Sequence, residues 1–383
     1  MDVSRRLTEI RRHLDREHMD ALVVLQPAAI QYLSTFKATA YSRPIILIVT
    51  RDREVLIVPG LEEIHAAETA RVSEIRVYYE HPDKAAAGTD PRRCLLDLMG
   101  SLPRHQGTLG IEAGVIPYEL ATSLEESGWK LKDAGREIIR LRERKDEAEL
   151  DLIRKAGMLV SLGVGRSIAA ARPGRPELEV EQVGHLAVIE EASRTLPGSV
   201  VGSISVTVAG KGAALPHQFT INDPLVVQEL IIHSRQVDVD GYRAECERTY
   251  VIGDLSSRQR DIFQLAIEAE WAGIAAVRPG IPCSVIDDAC REVIRKGGYA
   301  EYFIHRTGHG LGLEPHEAPY LRWDNDALLE PGMVFSIEPG IYVPGLGGAR
   351  HSDTILVTET GHELLTEFPR ELQQLIVTPE EVE

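Results

Sequence analysis

The sequence predicts an α+β protein in two parts, residues 1–137 and 138–383, and three observations carry this reading. In the first third, short apolar runs alternate with turn signals and helical stretches, the pattern of an α/β domain with a mixed sheet. At 136–155 a highly charged segment with apolar residues at helical spacing marks a boundary. Beyond it, the order helix, Pro-Gly step, helix and strand-rich sequence occurs twice, over 151–253 and 257–357, which suggests two related halves.

Taken in order, the first element is an amphipathic helix in which Val3, Leu7, Ile10 and Leu14 recur at helical spacing; its charges exclude a signal peptide. Runs at 21–25, 45–49 and 55–58 read as strands, punctuated by Gln26-Pro27, Arg51-Asp52 and Pro59-Gly60, and 61–71 reads as a helix. The boundary segment reads as a connecting strand followed by the first helix of the second domain. Helices over 151–171 and 257–276 stop at Ala-Arg-Pro-Gly and Val-Arg-Pro-Gly, because the Pro-Gly step cannot continue a helix and turns the chain. Second helices follow at 178–194 and 283–296, and 231–253 reads as a hairpin.

A chain of 383 residues can bury two cores, and 43% hydrophobic with 26% charged residues is an ordinary globular balance. The net charge of −17 argues against nucleic acid or an anionic membrane surface as the main partner, and a cationic or zwitterionic small substrate would not be repelled. No apolar run approaches the roughly 20 residues needed to span a bilayer. Cys94, Cys246, Cys283 and Cys290 form no CxxC pair and read as reduced thiols of a cytoplasmic protein.

Four stretches of the second part concentrate His, Glu and Arg. They are AALPHQF with His217, the hairpin with Glu245 and Glu247, FIHRTGHGLGLEPHEAP with His305, His309 and His316, and the pair MVFSIEPG with Glu338 and GGARHSDT with Arg350. Singly, each has an ordinary structural explanation: a histidine beside proline is usually solvated, and a glutamate before Pro-Gly often marks a strand end. Glu245 and Glu247 are two apart on a strand, so both point to one face while Cys246 points away.

In this order the motifs resemble the catalytic domain shared by creatinase, prolidase and aminopeptidase P, and the first third resembles the creatinase-type N-terminal domain. The resemblance covers essentially the whole chain. It implies a C-terminal pita-bread catalytic domain preceded by an α/β domain, and a homodimer. It also implies five metal-ligand positions, which here hold Ser234, Glu245, His309, Glu338 and Ser352. A serine hydroxyl is neutral and stays protonated at pH 7, so two of the five positions are poor ligands. Two close divalent cations need several carboxylates to offset their repulsion. The expectation is therefore that the second cation does not bind, and that Glu245, His309 and Glu338 remain as a set for at most one metal (Mn, Co or Zn).

Within that resemblance the pattern tilts toward the metal-independent members, creatinase and ectoine hydrolase, because Glu247 falls where creatinase has a substrate-binding glutamate. The expected function is hydrolysis of a C–N bond in a small amidine, guanidine or amide without a cofactor. His217 would be the acid/base, and Glu247 and Glu338, with Glu245, would hold the cationic centre, paired carboxylates matching a guanidinium fork. One glutamate could instead attack the amidine carbon. His309 and His316 would contact the substrate, and Arg43 would meet its carboxylate. Arg350 would orient the carboxylates after Gly241, with a plain Glu245–Arg350 salt bridge as the competing role. The alternatives are a metal-dependent Xaa-Pro dipeptidase or aminopeptidase, and a non-catalytic binding protein that kept the pocket.

Overall fold

A computed structural model describes residues 2–37, 42–81, 83–84 and 90–379. The chain divides into two compact units, Met1–Arg142 and Glu143–Glu383.

The first unit contains α1 (Val3–Arg16), β1 (Ala21–Val24), α2 (Pro27–Ser34), β2 (Ile46–Thr50), β3 (Glu54–Pro59), α3 (Glu63–Thr69), β4 (Glu74–Tyr78), α4 (Pro91–Ser101), β5 (Thr108–Ile111), α5 (Tyr118–Glu126) and β6 (Lys130–Asp133). Among the described residues its sheet runs β4-β3-β2-β1-β5-β6. The pairs β1–β2 and β2–β3 are antiparallel and the others parallel, so the sheet is mixed as predicted. Strands β1 to β3 are buried along their whole length, which is why they read as unbroken apolar runs. Val23, Ile48 and Ile57 pack with Leu95, Leu98 and Trp129 in the core.

The connecting strand expected in the boundary segment is instead a helix, α6 (Gly135–Glu143). Ile138 and Leu141, three apart, share the inner side of this helix while Ile139 is exposed, so the helical period wins.

The second unit repeats one plan. Helices α7 (Glu147–Ala170) and α8 (Glu177–Thr195) precede β7 (Val201–Ala209), β8 (Leu230–Val239) and β9 (Tyr242–Ile252). Helices α9 (Ser257–Ala276) and α10 (Cys283–Lys296) precede β10 (Gly308–Gly310), β11 (Glu317–Leu321) and β12 (Val334–Ile337). The chain then forms β13 (Gly340–Val343), β14 (Gly347–Arg350), β15 (Asp353–Val357), β16 (His362–Leu364) and β17 (Ile376–Val377). Capping boxes start α7 at Asp146 with Glu149 and α9 at Ser256 with Gln259. Both Pro-Gly steps end as expected, with Gly174 and Gly280 at φ 78° and 84°.

Two sheets, β17-β9-β8-β7 and β11-β10-β12-β15-β16, are joined by a bridge between Glu247 and Ser352. The β8–β9 hairpin turns at Asp240-Gly241, both at positive φ (50° and 93°), the geometry of a tight two-residue turn. That turn fixes the register, setting Gln236 opposite Glu245 and Ser234 opposite Glu247. Among the described residues no helix is long and apolar enough to cross a membrane, and all four cysteines are free and buried.

Candidate active site

The junction of the two sheets of the second unit brings most of the predicted side chains together. Strand β9 supplies Glu245 and Glu247, β10 supplies His309, the turn after β12 supplies Glu338, and the end of β14 supplies Arg350. Glu245, Glu247, Glu338 and Arg350 face a pocket of about 900 Å³ that His217, His305 and His316 also line. Arg43 belongs to the N-terminal unit, where its Nη2 donates to Glu80 at 2.8 Å.

His309 is held by close backbone packing. Strand β10 runs between β11 and β12, and a Cβ added at Gly308 would lie 1.9 Å from the Ser336 carbonyl oxygen. At Gly310 it would lie 2.2 Å from the Ala318 carbonyl oxygen. The two glycines of the GHG motif thus let three strands close around the histidine. Gly308→Ala is expected to destabilise the protein by about 1–3 kcal/mol, as overpacking does. Thermal unfolding checks this, and an unchanged midpoint would show that the strands have room to part.

His309 is almost completely buried, and its Nδ1 donates to the Gly310 carbonyl at 3.1 Å. A carbonyl can only accept, so in the neutral ring Nε2 carries the free lone pair. That Nε2 lies 3.3 Å from Glu338 Oε1, yet it has no hydrogen-bond partner among the described residues. Glu245, also buried, is held on both oxygens: Ser352 Oγ donates to Oε1 at 2.9 Å and Gln236 Nε2 to Oε2 at 2.5 Å. Donor atoms of Glu245, His309 and Glu338 all lie within 4.8 Å of one another, a group able to hold one metal ion. An orphaned buried imidazole nitrogen between two carboxylates fits a divalent cation of the Mn, Co or Zn type.

The electrostatics agree. Burial, then the charges of Glu338 and Glu247, push the Glu245 carboxyl up to about 7. Burial acts the same way on Glu338, but His309 and then Arg350 outweigh it and hold Glu338 at about 2. Burial opposes charge on His309, yet Glu338 and Glu245 raise it to about 9. The site therefore demands positive charge, which a proton on His309 partly meets and a metal would meet by displacing it. His316 stacks on His309 with ring centroids 3.9 Å apart. Burial and the facing His309 pull His316 down to about 4.

Arg350 grips Glu247 in a bidentate pair, Nε to Oε2 at 2.5 Å and Nη2 to Oε1 at 2.9 Å. Its Nη1 donates to Tyr342 Oη at 3.1 Å and to the Pro216 carbonyl at 3.2 Å. His305 Nδ1 donates to the Arg306 carbonyl, so its Nε2 accepts from Tyr342 Oη at 2.9 Å. His305 is thus a packed, hydrogen-bonded histidine. Tyr342 and Gln236 were not predicted as site residues.

Residues 151–359 match the metallopeptidase family M24, and residues 6–144 match the creatinase/prolidase N-terminal domain. The chain belongs to the M24 metallopeptidase family. Membership makes it a hydrolase of C–N bonds with the two-domain architecture its motifs predict. It is 30% identical to an Xaa-Pro dipeptidase of Pyrococcus furiosus, over 96% of this chain and 99% of that one. It is 31% identical to a putative dipeptidase of Bacillus subtilis, over 89% and 92%. Among solved structures, a prolidase from Pyrococcus horikoshii aligns with a TM-score of 0.85 at 27% identity, covering 96% and 99%. Dipeptidase PepE from Mycobacterium ulcerans aligns with a TM-score of 0.85 at 30% identity, covering 98% of each chain.

These findings correct two expectations. Metal-free hydrolysis of an amidine or guanidine required Glu247 to await a cationic substrate, but Arg350 already satisfies both of its oxygens. The relatives are dipeptidases, which favours the alternative. The expectation of no cofactor likewise falls: the family is one of metallopeptidases, and the Glu245, His309 and Glu338 cluster can hold a metal ion.

Proposed function

We propose that the protein is a metal-dependent dipeptidase that cleaves Xaa-Pro dipeptides. The observation that carries this is the group of Glu245, His309 and Glu338, with the His309 Nε2 lone pair unpartnered, at the floor of a pocket sized for a small molecule. A divalent cation bound there supplies Lewis acidity toward a carbonyl and activates water at neutral pH.

The chain's own residues do the rest. Gln236 and Ser352 fix the Glu245 carboxylate in orientation, as partners of metal ligands commonly do. His217 is an exposed imidazole on the pocket wall, suited to carrying a proton to the departing nitrogen, and His316 lines the same pocket. Phe219 and Trp323, 81% and 68% exposed, present aromatic surface to an apolar ring. Arg306 lines the same pocket, lies over the Tyr320 ring and contacts His316, and it has no carboxylate partner among the described residues. It is suited to a substrate carboxylate. Arg306→Met is expected to raise KM by about 10–100-fold, the worth of a charge-assisted hydrogen bond, with kcat little changed. An unchanged KM would remove Arg306 from substrate binding.

The direct test is hydrolysis of Xaa-Pro dipeptides by protein stripped with a chelator and reloaded with Mn, Co or Zn. Activity should vanish on stripping and return on reloading. No turnover of any Xaa-Pro dipeptide by loaded protein would end this reading.

A further inference from the structure

We propose that the site holds one divalent cation per chain, and that the guanidinium of Arg350 takes up the charge of Glu247 that a second cation would need. The inference rests on the metallopeptidase reading above and adds to it the number of cations and the groups that limit it.

The argument is one of charge and lone pairs. Three carboxylates face the pocket: Glu245, Glu247 and Glu338. Two neighbouring divalent cations would bring four positive charges and need several carboxylates, some of them bridging. Glu247 is committed, because both its oxygens accept from Arg350, and Arg350 stays charged at any ordinary pH. Glu245 already accepts from Ser352 Oγ on one oxygen and from Gln236 Nε2 on the other, which leaves it fewer lone pairs to share between two cations. What remains is Glu245, Glu338 and the neutral His309, a charge of −2 that one divalent cation balances.

Among the described residues the pocket lining offers no further carboxylate. Ser234, which faces Glu247 across the hairpin, and Ser352 are neutral hydroxyls. Among the described residues, Glu245, His309 and Glu338 form the one group of three such ligands found. Two buried atoms here have no hydrogen-bond partner: His309 Nε2, and Oε1 of Gln236, whose Nε2 bonds Glu245. A carbonyl oxygen like that of Gln236 is a suitable neutral neighbour for a hard cation or its water. A second cation, by contrast, would have to settle beside the Arg350 guanidinium.

The test counts cations on the full chain without substrate. Protein stripped with a chelator is titrated with MnCl2 by calorimetry, and the Mn content is measured after gel filtration. One Mn per chain is expected, with the electron paramagnetic resonance spectrum of an isolated ion. Ser234→Asp combined with Ser352→Glu is expected to raise the count to two, with a spin-coupled spectrum. Two Mn in the unaltered chain, none, or one that persists in Glu338→Gln would overturn the proposal. A count of one in a folded double variant would overturn its account of what limits loading. Because the count needs no peptide, it separates from the activity test. One Mn without Xaa-Pro turnover defeats the dipeptidase reading alone, and two Mn with turnover defeats this inference alone.

Discussion

Glu338→Gln is expected to empty the cation site and to lower kcat/KM for an Xaa-Pro dipeptide by about 10³-fold. The exchange keeps the side chain's shape and removes one charge. A unit charge pair about 4 Å apart in a partly shielded site is worth about 4 kcal/mol, and a divalent cation feels each carboxylate more strongly. Ten-fold costs about 1.4 kcal/mol, so a factor of about 10³ is the lower end of the expected loss. Metal content and steady-state kinetics check the prediction together, with circular dichroism to show that the fold persists. A folded variant that keeps both its cation and its turnover would place the metal elsewhere.

The fold was largely legible because its signals are local. The helical periods of α9 and α10, and the Pro-Gly steps before α8 and α10, survive in the structure at their predicted places. The facing of Glu245 and Glu247 follows from strand alternation alone. Gln236 was legible too, and was missed: an Asp-Gly turn at 240–241 sets the hairpin register, and counting back from it puts Gln236 opposite Glu245. The resemblance put Arg350 beside the carboxylates of β9, but the bidentate form of its pair with Glu247 was harder to read. Arg350 lies 103 positions away and reaches it from a separate two-stranded sheet, so that no local pattern encodes the bidentate pair. That long-range pairing is what turned a pocket read as awaiting an organic cation into one that carries its own. Tyr342 was invisible for the same reason, since its contacts to His305 and Arg350 arise from tertiary packing.

The site's geometry depends on a second ionic cluster on the far side of the same strands, and breaking it should produce the largest loss of stability. Arg248 and Asp353 are each fully buried neighbours of site residues, Glu247 and Ser352. Arg248 uses its whole guanidinium: Nη2 reaches both oxygens of Asp353 at 3.0 and 3.1 Å, and the remaining donors go to the carbonyls of Glu247, Ser352, Phe368 and Pro369. Asp353 also accepts from Arg370 Nε at 2.6 Å and Thr366 Oγ1 at 2.5 Å. This cluster pins the β9 and β15 backbones at the Glu247–Ser352 bridge, and so sets where Ser352 meets Glu245.

Asp353→Asn leaves the fully buried Arg248 guanidinium without its anion and Arg370 with Glu270 alone, and is expected to cost about 3–5 kcal/mol, as breaking a buried pair does. Chemical or thermal unfolding measures the loss. Burial works to raise the Asp353 pKa, but Arg248 and Arg370 outweigh it and hold the group below its ordinary value. The sign follows from linkage: a carboxyl depressed in the fold stabilises above its unfolded pKa, near 3.9, and loses that contribution as pH falls through the lower folded value. The gap between parent and Asp353→Asn should therefore be full at neutral pH and narrow only in strong acid. A variant as stable as the parent at pH 7 would show that the cluster is not what holds the two sheets in register.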